Sequence, residues 1–223
     1  SPIPKAIAGG SLLTEILINK YQYHLPLYRQ SKMLASYQVD IPDNTLGNWV
    51  SQIGLGLMKL YESLWQAVLA AFYLQVDETP VKVLKPDKKG YLWSYYAPHL
   101  GGGVVVFEMS LTRSGDVANQ RLVNFKGLLQ TDGYKGYQQL RDREGIVGLG
   151  CLTHARRKFC EVFKVTKNTA GIAHEAIERL KPLYELEARM REANYSFHTR
   201  KRLRQKIAWP ILKDFHNWLK CEF

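Results

Sequence analysis

Disulfides do not hold this chain together. Cysteine is scarce: Cys151, Cys160 and Cys221 are the three among 223 residues. An odd, sparse set fits a reducing compartment and argues against a secreted scaffold. Cys151-x-x-His154 has the spacing of half a zinc site, but no second half at ligand spacing follows it, which argues against structural zinc. No apolar run approaches the length that spans a bilayer, and no signal peptide opens the chain. Internal repeats and low-complexity segments are also missing, which excludes repeat arrays. No Ser/Pro/Gly-rich linker marks a boundary. The chain opens with Ser1-Pro-Ile-Pro4 and closes on Cys221-Glu-Phe223, and is expected to be a piece of a longer protein.

Acidic side chains are in short supply too. There are 20 Asp and Glu against 31 Lys and Arg, for a formal net charge of +11. The excess is uneven: residues 151–223 hold 16 basic and 8 acidic side chains, residues 1–76 only 5 and 4. A basic C-terminal third suits a polyanionic partner, most often nucleic acid. A solvated helical face with surplus lysine and arginine is the plainer alternative. With 46% apolar residues the chain is globular, and its length allows one sizeable core or a core with a small satellite.

The first 70 residues read as helical. After an extended lead-in over residues 1–10, Ser11 is placed to cap a helix whose apolar positions Leu12, Leu13, Ile16, Leu17 and Tyr21 recur at helical spacing. Pro26 opens a second helix, to about Tyr37. A third begins at Asp43, Asn44 or Thr45 and continues through Ile53. Two short helices on a tight link suit a helix-turn-helix, with Thr45, Asn48 and Ser51 toward DNA and Arg29 and Lys32 near its backbone. They suit a plain helical bundle as well, and the near-neutral charge favours the bundle. Leu55 to Ala71 is expected as one amphipathic helix, with Leu57, Leu60, Leu64, Val68 and Ala71 on one side.

The period then changes. Phe72 to Val76 is a strand-like run closed by Asp77. Lys85-Pro-Asp-Lys-Lys-Gly90 is a hairpin turn, Tyr91–Ala97 an aromatic strand, His99–Gly103 a turn and Val104–Ser110 a third strand. Gly115 to Phe125 reads as a helix. Gly127 to Thr131 is a fourth strand, closed by Asp132. Tyr137–Arg143 is a short helix, Ile146–Cys151 a fifth strand and His154–Phe163 a helix. This order is that of the ribonuclease H-like fold, an α/β architecture with a mixed sheet flanked by helices. Residues 170–223 are helical, with a break or kink at Pro182 and a second helix over Thr199–Lys220 that turns Ile207, Ile211, Phe215 and Trp218 inward. The expected organisation is a helical region over 1–70, an incomplete ribonuclease H-like core over 71–165, and a basic helical insertion or tail over 166–223.

Asp77 and Asp132 carry the chemistry. A carboxylate at the end of a buried strand is costly unless it meets a cation. In this sheet order the first and fourth strands are neighbours, so the two carboxylates can share a divalent metal site. Phosphodiester chemistry needs carboxylates around ions roughly 3.5–4 Å apart. The plainer reading is that each aspartate caps the turn after it. Glu78, one residue on, points to the opposite face and is read as structural. His154, Arg156, Arg157 and Lys158 start a helix after the fifth strand and suit a phosphate backbone, with Tyr134 and Lys135 as weaker contacts. A solvated basic helix is the alternative.

Several phrases, in order, carry a family resemblance: Lys20-Tyr-Gln-Tyr-His-Leu-Pro-Leu-Tyr-Arg29, Thr45-Leu-Gly-Asn-Trp49, Asp77-Glu-Thr-Pro-Val81, Gly90-Tyr-Leu-Trp93, Arg113-Ser-Gly115, Leu129-Gln-Thr-Asp-Gly-Tyr134, Cys151-Leu-Thr-His-Ala-Arg-Arg-Lys-Phe159 and Leu183-Tyr-Glu-Leu-Glu187. From about Ile3 to Arg191 the chain resembles the central part of bacterial transposases of the insertion sequence sixty-six family. The resemblance implies a DDE-type enzyme that holds Mg2+ (or Mn2+) on two aspartates and a glutamate. Such an enzyme cuts DNA with water and joins the freed 3′-hydroxyl to target DNA. It implies Asp77 as the first acid and Asp132 as the second. It further implies transposon-end and target DNA as partners, action as a homodimer, and a bacterial cytoplasmic location at the nucleoid. The family's third acid sits in an Asp-Asn-Asn-x-x-Glu-Arg phrase that this sequence lacks; Glu161, Glu175 and Glu178 have no such context. The chain is thus expected to stop before the last acid and to be inactive or nearly so by itself. Two alternatives stand beside this reading: a DNA-binding or regulatory derivative without chemistry, and a ribonuclease H-like nuclease.

Overall fold

A computed structural model describes residues 2–4, 6–84 and 88–222. The chain divides into two compact units, Ser1–Ala71 with Pro98–Val106, and Phe72–Ala97 with Phe107–Phe223.

The first unit is built on helices α1 (Gly10–Tyr21), α2 (Leu27–Ser36), α3 (Asp43–Gly56) and α4 (Met58–Leu69). Its core gathers Leu13 and Ile16 of α1, Leu46 and Trp49 of α3, and Ile3, Ala8 and Ile41 from the connections. The helical spacing of these apolar residues gives each helix one face to bury. Buried Gln30 of α2 is satisfied by backbone, its amide donating to Leu25 O at 3.0 Å and Ile16 O at 3.3 Å. Ser11 does not cap α1: Gly9 holds the N-cap position and makes no side-chain bond. The expected single helix over 55–71 is also two, because α3 runs on to Gly56 and α4 starts afresh at Met58. The buried positions of α4 are Trp65 and Val68, while Leu57, Leu60 and Leu64 are exposed. Asn48 and Ser51 are exposed on α3, with the Ser51 hydroxyl donating to Gly47 O.

Five strands form one mixed sheet in the order β3-β2-β1-β4-β5: β1 (Tyr73–Val83), β2 (Lys88–Ala97), β3 (Val104–Ser110), β4 (Gly127–Thr131) and β5 (Ile146–Gly150). β1 runs antiparallel to β2 and parallel to β4, and β5 extends the parallel half. On β1 the buried side chains alternate, Leu74, Val76 and Glu78 on one face, as a pleated strand requires. Asp77 does not end its strand: β1 continues six residues to Val83, paired there with β2. The expected turn residues Lys85, Pro86 and Asp87 lie outside the described residues.

Helix α5 (Asp116–Arg121) follows β3, and a 3-10 turn, Lys135–Tyr137, leads into α6 (Gln138–Arg141) after β4. The helix expected over 115–125 is only six residues long; Leu122 and Phe125 are buried beyond its end. Helix α7 (Leu152–Thr166) leaves β5. Helix α8 (Ile172–Glu192) passes through Pro182 without a break. The expected Thr199–Lys220 helix is α9 (Phe197–Leu203), a π turn at Arg204–Ala208 and α10 (Trp209–Glu222). Ala176, Leu180 and Leu183 of α8 and Phe215 of α10 form their core, with Leu152 and Phe159 of α7 against it. Among the described residues no helix is long and apolar enough to cross a membrane.

Candidate functional site

The parallel pairing of β1 and β4 sets the site. Tyr73, Leu74 and Gln75 stand opposite Leu128, Leu129 and Gln130. Carried two residues on, the same register sets Asp77 level with Asp132, where β4 ends and β1 runs on. Both line a cleft of about 860 Å³ together with Glu78, Arg113, Tyr134, Arg141, His154, Arg157, Lys158 and Glu161.

Each aspartate spends one oxygen on local structure. Asp77 Oδ1 accepts the Glu78 N–H at 3.0 Å, and Asp132 Oδ1 accepts the Tyr134 N–H at 2.8 Å. The second bond is the turn cap expected of a strand-end aspartate. Asp77 Oδ2 lies 3.6 Å from His154 Nε2, and Asp132 Oδ2 takes no hydrogen bond among the described residues. Two carboxylates with an oxygen each to spare suit a hard divalent cation such as magnesium. The set is sparse, since no cluster of three or more His, Cys, Asp or Glu able to hold a metal occurs among the described residues. Glu161 lines the cleft but sits 3.6 Å from Lys158, while Glu175 and Glu178 pair with Arg179 and Lys181. Cys151, Cys160 and Cys221 are free thiols.

Helix α7 forms one wall. His154, Arg157, Lys158 and Glu161 recur at spacings of three and four, so they share a face, and that face lines the cleft. His154 Nδ1 is buried and has no hydrogen-bond partner among the described residues. Arg156 is off this stripe. Its guanidinium lies 5.1 Å from the centroid of the Tyr184 ring on α8, and it does not line the cleft. Lys135 is exposed in the turn after β4 and does not line the cleft either. Tyr134 does, but its hydroxyl donates to Arg113 O at 3.0 Å.

Glu78 and Arg113, which line the cleft with Asp132, belong to a knot of polar contacts. The Glu78 side chain is only 1% exposed. Its Oε1 accepts Arg113 Nε at 2.8 Å and Nη2 at 2.6 Å, and its Oε2 accepts the Tyr137 hydroxyl. Arg113 also stacks on Tyr134, 4.2 Å from the ring centroid. Burial, then the bond to Glu78, pushes the Tyr137 phenol well above its ordinary range, so it remains a donor. Arg113's own hydrogen bond to Glu78, against some desolvation, pushes its guanidinium up. Two glycines let the loops meet: a Cβ on Gly115 would lie 2.0 Å from Gly136 O. Sequence reading treated Glu78 as structural and missed Arg113 and Arg141 as cleft residues. Arg113 had one signal, the phrase Arg113-Ser-Gly115, and Arg141 had none.

The chain is similar to an uncharacterized protein, y4hP, of Sinorhizobium fredii, with 30% identity across 98% of this chain and 43% of that protein. A second uncharacterized protein of that organism, y4jD, is 30% identical across 96% of this chain and 45% of its own length. The chain therefore spans less than half the length of these relatives. A chain of the simian T-cell lymphotropic virus intasome, solved in complex with PP2A regulatory subunit B56 gamma, is 15% identical over 45% of this chain and 44% of that chain; its TM-score of 0.31 is too low to carry an argument. The profile of the IS66 transposase family matches residues 5–222, nearly the whole chain. The strands, the paired aspartates and the basic face of α7 all lie inside that match, and the chain belongs to the IS66 family of transposases.

Proposed function

We propose that these 223 residues form the core of a DDE-type DNA transposase, with a ribonuclease H-like sheet and a bimetal site begun by Asp77 and Asp132. The strand order and the switch from antiparallel to parallel pairing at β1 support the fold reading. One observation carries the function: the β1–β4 register sets two aspartates level in a cleft walled by His154, Arg157 and Lys158.

Asp77 and Asp132 would hold magnesium or manganese, which when bound supplies activation of the attacking oxygen and stabilisation of the leaving oxygen. Arg157 and Lys158 present cations to the phosphate backbone of the DNA. His154, beside Asp77, orients a water or a phosphate oxygen. No third acid joins the pair among the described residues, so the proposal assigns that carboxylate to a part of the protein outside them. These residues alone then bind a divalent ion weakly and cut DNA poorly or not at all.

Manganese titration followed by paramagnetic resonance tests this. Weak binding is expected in the wild type, and its loss in Asp77→Asn and in Asp132→Asn. Binding that survives both substitutions sinks the assignment. Robust metal-dependent cleavage by the 223 residues sinks the incomplete-site reading. A DNA-binding derivative without chemistry is the second reading, favoured by the hydrogen bond each aspartate already accepts; it is upheld if DNA binds and manganese does not.

A further inference from the structure

Arg113 is committed along one edge only. Nε and Nη2 both reach Glu78 Oε1, while Nη1 has no partner among the described residues. The two side chains are unequal in burial. Glu78 is 1% exposed and Arg113 46% exposed, and both line the cleft with Asp132 and Tyr134. The buried carboxylate, gripped from its other oxygen by Tyr137, thus fixes a half-exposed guanidinium in the wall of the cleft. Stacking on Tyr134 removes further freedom. A planar fork held in place in this way loses little entropy on taking up an oxyanion.

We propose that Arg113 is a phosphate-binding residue of the cleft, taking a phosphodiester oxygen of the DNA strand on the guanidinium edge that Glu78 leaves free. The inference rests on the DNA reading above and adds an anchor from the loop before α5 to the cleft that the basic face of α7 also lines.

The test measures binding of a fluorescein-labelled DNA duplex to the 223-residue chain by anisotropy over a range of salt concentrations. Each phosphate neutralised on a duplex adds about 0.9 to the slope of log affinity against log salt. Arg113→Gln is expected to make the slope shallower by about 0.9. Because it leaves Glu78 buried without its cation, the double variant Glu78→Gln/Arg113→Gln is the decisive one. Removing both charges together spares the fold the unpaired carboxylate, so it should melt near the wild type and still show the shallow slope. A wild-type slope in the folded double variant overturns the assignment and leaves the DNA reading standing. If the wild-type chain itself shows no salt-dependent DNA binding, both fall. Should the double variant melt far below the wild type, Arg113→Lys decides instead. It keeps the charge and the slope but loses the fork, so affinity at fixed salt drops severalfold; unchanged affinity overturns the assignment.

Discussion

Replacing Gly115 with alanine should push apart the two loops that support Asp132. A Cβ at Gly115 would meet Gly136 O at 2.0 Å, its carbonyl carbon at 2.7 Å and its Cα at 2.9 Å. All three are backbone atoms, so no rotamer change relieves the contact. The loops must separate by about 1 Å before the closest pair reaches even a tight contact, and forced overpacking of this kind typically costs about 1–3 kcal/mol. Gly115 itself has φ −57° and ψ −18°, which any residue adopts. On chain entropy alone, alanine there should therefore stabilise by roughly 0.4–1 kcal/mol. The clash outweighs this, and a net loss of about 1–2 kcal/mol follows. Gly133→Ala is the control, since nothing lies within 4 Å of its Cβ position; it should be neutral or slightly stabilising. Urea unfolding reads both as shifts in midpoint at constant slope. Because Gly136 shares its loop with Asp132, manganese binding should weaken in Gly115→Ala and not in Gly133→Ala. If Gly115→Ala proves as stable as Gly133→Ala, the claimed backbone contact does not exist.

Two further outcomes follow from the same packing. Tyr137→Phe removes a hydroxyl that donates to the buried Glu78 carboxylate, and the loss of a bond to a charged group should cost roughly 1.5–3 kcal/mol by urea unfolding; a cost below about 0.5 kcal/mol would refute the role given to that bond. Glu187 accepts Arg204 at 2.6 and 2.8 Å, and those bonds hold its carboxyl below the ordinary value of 4.5. Its contribution is therefore complete above that ordinary value and is lost as pH falls through the lower folded-state value. Thermal melts should show the wild type losing stability in acid relative to Glu187→Gln. Since the pair is partly solvent-exposed, the difference at neutral pH should stay below about 1 kcal/mol, and superimposable acid limbs would remove the pair from the stability of the C-terminal helices.

The sequence by itself determined much of this architecture. Strands β3 and β4 have the bounds that their alternation and turn residues predict, and Asp132 does close β4. Period and punctuation are local properties, and they survive folding where a strand lies between clear turns. The paired aspartates were legible for the same reason, because the order of elements makes β1 and β4 neighbours. The basic helix after β5 was legible as a group, His154, Arg156, Arg157 and Lys158, of which His154, Arg157 and Lys158 line the cleft.

Tertiary structure decided the rest. Asp77 looked like a strand end because the apolar run stops there, but pairing with β2 carries the strand on to Val83. Of the expected face Leu57, Leu60, Leu64, Val68 and Ala71, the last two are buried and the three leucines are exposed, while Trp65, outside that face, is buried. Arg156 could not be sorted from its neighbours by composition; the Tyr184 ring that receives it lies on another helix. Arg113 gave almost no local signal. Its place in the cleft depends on Glu78 being buried 35 residues earlier and on Gly115 meeting Gly136. A hydrophobic period reports which way a segment faces. Which charge meets which is fixed by contacts between segments far apart in the chain, and those exist only once the sheet has closed.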